Sequence, residues 1–163
     1  MVLAGLIALT VRLRSGGDTL SDMGLRIDNV GATAPPILGL TTLVSLALLG
    51  VGYAAGRALT GEAIVLFLLY PLWGIAQQFL MQGIVHRRLR SAGASPGVAI
   101  VVTGAAFAAL HLPDEKLTVL TWIAGTGWAW LFSRWPNAWL LGLSHGVLAA
   151  LTYLLVLGSP PLG

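Results

Sequence analysis

Long apolar runs broken by short polar clusters organise this chain, and the runs are long enough to predict membrane helices. Residues 1–11 are apolar and end at Arg12 and Arg14. A helix of that length reaches about 16 Å, short of a ~30 Å hydrocarbon core. The stretch reads as the end of a spanning helix whose beginning is absent, or as a short interfacial anchor. It lacks the basic start of a signal peptide. Residues 15–34 are polar and glycine-containing, with an amphipathic patch from Leu20 to Arg26, and predict a linker at the membrane surface. Five spans follow, at about 36–55, 62–85, 97–112, 117–132 and 139–157. Pro35-Pro36 open the first, and Pro71 predicts a kink in the second. Gly52-x-x-x-Gly56 and Gly142-x-x-x-Gly146 are spacings that let helices approach closely in lipid. The expected architecture is therefore an all-α integral membrane protein. It has a partial apolar segment and linker over 1–34 and a bundle of about five transmembrane helices over 35–163.

One run breaks the apolar rule. Gln77, Gln78 and Gln82 stand in the second span, and burying an amide without partners costs roughly 2 kcal/mol or more. Gln78, Gln82 and His86 are four apart and share one helical face, with Gln77 turned about 100° from them. Such a stripe has to face protein or water, and the partners available in other spans are His111 and His145. Gln78, His111 and His145 are expected in one cavity, within a water-bridged distance of about 6 Å. By helical rise Gln78 lies about 14 Å from Arg87, His145 about 12 Å from Asn137, and His111 about 21 Å into its span. Tilt, or the third helix dipping inward at Pro113, has to absorb that mismatch.

Composition sharpens the class. Of 163 residues 56% are hydrophobic and 9% charged, against about 25% charged in soluble domains. There is no cysteine, which excludes disulfides, thiolate metal sites and a cysteine nucleophile. The net charge of +3 comes from basic residues at helix ends, a topology signal and not a nucleic-acid surface. Arg12, Arg14, Arg26, Arg87, Arg88, Arg90 and Arg134 lie on one side, Arg57 and Lys116 on the other. Seven against two places the first group in the cytoplasm. None of the six carboxylates lies in the middle of an apolar run, which argues against a proton or solute pathway.

Three short motifs carry a resemblance. Gln77-Gln78-x-x-x-Gln82, then Phe107-x-x-x-His111, then His145-x-x-x-Ala149 follow the order of the CAAX-protease and bacteriocin-processing family, whose pattern is E-E-x-x-x-R, F-x-x-x-H and H-x-x-x-N or D. The Met23–Arg26 linker and the run from Asn137 to His145 extend the likeness to about residues 20–157. The resemblance implies an intramembrane endopeptidase of the bacterial inner (plasma) membrane. Its catalytic positions would be Gln77, Gln78, His111 and His145, with Gln82, Phe107 and Ala149 supporting them. Its partners would be a membrane-embedded or membrane-anchored peptide, handled near the cytoplasmic half, and the bilayer itself. Any divalent metal, zinc above all, would fall to His111 and His145.

The departures matter chemically. The family's glutamate base, arginine and asparagine are replaced by Gln77-Gln78, Gln82 and Ala149. An amide accepts no proton at neutral pH, so a base has to be a histidine. Two imidazoles also fall one ligand short of the usual catalytic zinc set. Exchanging two carboxylates and a guanidinium together avoids stranding a buried charge, which suggests a polar pocket still in use. The sequence thus supports an endopeptidase with weakened or lost activity, or a family member that binds peptide or lipid as scaffold or chaperone.

Overall fold

The computed structural model of the protein describes residues 19–59 and 61–158. The apolar segment at 1–11 lies outside the described residues. Among those described, all regular structure is helical. Five rods follow one another: α1 (Val30–Ala54); α2 (Glu62–Gln78), continued by the π-helix π1 (Phe79–His86) and the short α3 (Arg87–Ser91); α4 (Pro96–Ala109); α5 (Glu115–Arg134); and α6 (Ala138–Thr152) with π2 (Tyr153–Leu157). Three segments are long and apolar enough to cross a membrane: Val30–Ala54, Ala63–Ser91 and Ala138–Leu157. α4, at 14 residues, is apolar but reaches only about 21 Å. α5 has 20 residues but carries Glu115, Lys116 and Arg134. This is a helical membrane protein, and its outer face fits lipid: Leu43, Leu68 and Leu72 are each more than 60% exposed.

Local chemistry sets the helix ends. Ser95 caps α4 ahead of Pro96, whose missing N–H costs nothing in a first turn. The Asp114 and Asn137 side chains accept from Leu117 N and Leu140 N, each at 3.0 Å, and so start α5 and α6. α1 begins at Val30, six residues before the expected Pro36, so the anticipated boundary at 34/35 falls inside a helix. Its first turn forms on Asn29, whose carbonyl takes the amides of Ala32 and Thr33. The two prolines therefore sit in a helix already begun.

The linker is not a loose surface strand. Asn137, fully buried, donates through Nδ2 to Arg26 O at 3.0 Å and Asn29 Oδ1 at 2.8 Å. Asn29 Nδ2 donates to Pro136 O at 3.0 Å, and Ala138 N to Gly24 O at 2.8 Å. Gly24 has φ +88°, and a Cβ there would meet Phe132 at 2.7 Å. Residues 23–29 are thus bound to the α5–α6 turn at the arginine-rich end of the bundle.

The tightest packing is between α2 and α6. A Cβ on Gly146 would lie 2.5 Å from Pro71 Cα, and one on Gly74 3.0 Å from Gly146 N. Gly142 lies as close to Ile75. The Gly142-x-x-x-Gly146 spacing is therefore used, with backbone against backbone. In the other pair only Gly52 packs, against Leu155; Gly56 has no atom within 4 Å of its Cβ position. α4 and α5 pair in the same way, with Gly104 against Thr126 and Gly125 against Phe107.

Candidate functional site

Beside the α2–α6 seam the helices part around a cavity of about 110 Å³. Gln77 from α2, Phe107 and His111 from the end of α4, Trp128 from α5, and His145 and Ala149 from α6 all line it. Tyr70, Leu117, Thr152 and Tyr153 extend the wall towards the end opposite Arg87–Arg90. The space thus runs from mid-bundle away from the arginine-rich end, where the sequence had suggested the cytoplasmic half. Trp73, 55% exposed, stands at its edge on the lipid side of α2.

Neighbouring glutamines take different places. Gln77 faces the cavity. Gln78 is buried behind it, with Nε2 3.1 Å from His145 Nδ1, and its Oε1 accepts from Gln82 Nε2 at 3.2 Å. Gln82 Oε1 is buried and has no hydrogen-bond partner among the described residues. The relay therefore runs from Gln82 through Gln78 to His145. With Gln78 donating, His145 Nδ1 is an acceptor and the ring proton lies on Nε2. A glutamate at 78 could only accept, and would hold the proton on Nδ1 instead. The exchange of carboxylate for amide at this position reverses which imidazole nitrogen is a donor.

The two histidines are oriented by different means. His145 lies flat against Trp128, centroids 4.5 Å apart and planes at 20°. Trp128 Nε1 donates to Ser144 Oγ at 3.2 Å, and Ser144 lies 2.8 Å from Thr41 Oγ1. Thr41 in turn donates to Ile37 O at 2.7 Å. That directed chain pins the indole against the imidazole. His111 lies in the turn after α4, where Nδ1 is 3.0 Å from Phe107 O. A carbonyl only accepts, so His111 carries its proton on Nδ1 and presents a lone pair on Nε2. The Phe107 ring meets both histidines edge-on, at 5.1 Å and 5.5 Å. Phe107 therefore spaces the pair.

His86 does not join this group. It is buried like Gln78 and Gln82, but it lies at the far end of the π-helical stretch Phe79–His86, towards the arginine-rich end. It packs on Phe132 at 6.0 Å, with Nδ1 3.4 Å from Thr103 Oγ1. Sequence reasoning missed Trp128, Ser144 and Thr41. One tryptophan among six carried no signal, although Ser144 beside His145 was a polar residue in an apolar run.

A metal does not fit the donor set present. Among the described residues no group of three His, Cys, Asp or Glu side chains could hold one. In the relay as placed His145 Nε2 bears a proton, which leaves His111 as the one free imidazole ligand in the wall.

Residues 58–151, more than half of the chain, match the family model described as type II CAAX prenyl endopeptidase Rce1-like. No curated protein and no solved structure matches the chain. The matched segment includes every residue of the three motifs, from Gln77 to Ala149.

Proposed function

This chain belongs to the Rce1-like family of type II CAAX prenyl endopeptidases, and we propose that its cavity binds a membrane-anchored peptide and hydrolyses it slowly, by histidine chemistry alone. The observation that carries the reading is the composition of the cavity lining, where Gln77 and Ala149 stand with His111 and His145. In this reading the lone pair of His111 Nε2 takes the proton of an attacking water. His145 Nε2–H donates to the peptide carbonyl oxygen as negative charge develops on it. Trp128 and Gln78 keep the second imidazole in place. The amide of Gln77 orients water but takes no proton, so His111 is the one general base, with no carboxylate to assist it. No step uses a metal.

A second reading is favoured by Ala149, whose methyl offers nothing to an oxyanion: a family member that binds the peptide without cleaving it. Both readings require the cavity to be occupied. We place the protein in an inner (plasma) membrane, bacterial in type, with the arginine-rich end in the cytoplasm. The support is the seven-to-two arginine and lysine count.

Binding of a fluorescent prenylated peptide with a CAAX ending, to protein in neutral-lipid nanodiscs, tests the cavity. Ala149→Leu, which fills part of the 110 Å³, should weaken binding at least about tenfold without loss of fold. A folded Ala149→Leu protein that binds as the wild type does would place the peptide elsewhere.

A further inference from the structure

A second concavity, of about 670 Å³, opens at the arginine-rich end between the ends of α3 and α5 and the start of α4. Arg87, Arg90 and Arg134 line it, with Ser91, Ser133 and Trp130, and His86 at its inner wall. No carboxylate is among its lining residues. Arg90 donates to Ala94 O, and the Arg134 guanidinium lies 4.4 Å over the Trp130 ring, so both heads are held in place. Arg87 also acts on Asp22, but that carboxylate is engaged with the Thr19 hydroxyl at 2.7 Å and amide at 2.9 Å. Pro96 in the wall marks the start of α4, where the helix dipole adds positive potential.

We propose that this cleft binds the phosphate headgroup of an anionic phospholipid. Guanidinium groups in a fixed array suit a phosphate, which accepts charge-assisted bonds from several directions. The source is lipid because of what surrounds the cleft. Trp130 is 40% exposed and Trp135 packs against it at 6.0 Å, an aromatic pair at headgroup depth. Ile100, one turn along α4 from Pro96, continues the cleft wall with an apolar side chain. A soluble phosphate would use the arginines but not this apolar face. The site is separate from the histidine cavity and does not depend on the reading given to it.

Native mass spectrometry of the whole protein in neutral detergent tests the proposal, with phosphatidylglycerol and phosphatidylcholine of identical chains as probes. Phosphatidylglycerol should be retained in preference. Arg90→Gln with Arg134→Gln should weaken that retention about thirtyfold, at about fivefold for each arginine near an anionic headgroup. Phosphatidylcholine binding and the melting temperature in neutral detergent should not change. If the double variant fails to fold, Arg90→Gln alone, at an exposed position, should still show the fivefold loss. Equal retention of the two lipids, or unchanged retention by the folded variant, overturns the proposal. So does displacement of the retained phosphatidylglycerol by millimolar inorganic phosphate, which would make this a soluble-anion site.

Discussion

The two sides of His145 are built in opposite ways. On one side α6 lies close against α2, because Gly74, Gly142 and Gly146 remove the atoms that would part the backbones. On the other side the same imidazole, stacked on Trp128, borders an open cavity that Phe107 and His111 also line. The difference shows where rigidity comes from in a bundle with no hydrophobic push between its helices. Dispersion and close approach hold the seam. The seam fixes Gln78 against His145, and the cavity can stay open because it is not asked to hold the helices together.

If that contrast is right, mutations should separate the two sides. The largest effect belongs to the seam. Gly146→Leu forces a side chain into the Pro71 backbone, so it should cost more than about 4 kcal/mol or prevent folding, read as loss of a monodisperse protein in detergent. Gly127→Ala is the control: its Cβ meets nothing within 4 Å, and better helix propensity should stabilise by up to about 1 kcal/mol. An intermediate loss belongs to Asn137→Ala, which removes a helix cap and two buried bonds to the linker. It should lower stability by about 2–4 kcal/mol in thermal unfolding and free residues 23–29 to proteolysis. The smallest belongs to the cavity wall. Ala149→Val adds two methyl groups to open space and should change stability by less than about 1 kcal/mol, while weakening peptide binding. Equal losses at Gly146 and Ala149 would remove the contrast.

Much of this was legible in the chain. Apolar runs gave five helices near their observed places, because lipid demands that pattern whatever the packing. The scarcity of polar partners in apolar spans led us to expect Gln78 in one cavity with His111 and His145; it meets His145 but stands behind the cavity, where Gln77 takes the lining position. The stripe of Gln78, Gln82 and His86 turned to the protein interior, although a π-helix carries its second half, and its spacing did not tell which of the three would reach the histidine cavity. The role of Asn137 was only half visible. A cap before an apolar run is a local signal, but its bonds to Arg26 and Asn29 cross more than 100 residues of sequence. The indole clamp was hidden for the same reason: Thr41, Ser144 and Trp128 belong to three different helices.

The central claim is that this is a family cavity working without its carboxylate base. Cleavage of a prenylated CAAX peptide in nanodiscs measures it directly, for the wild type, for the variant Gln77→Glu/Gln78→Glu/Gln82→Arg/Ala149→Asn, and for each of the two with His145→Ala. The arginine has to accompany the glutamates, since unpaired buried charges would protonate or disrupt the helix. The account predicts a slow wild type, a rise of about tenfold or more in the fourfold variant, and loss of that gain with His145→Ala. A wild type already as fast as the fourfold variant, and stopped by His145→Ala, would show that the glutamines cost the chemistry nothing and contradict the account.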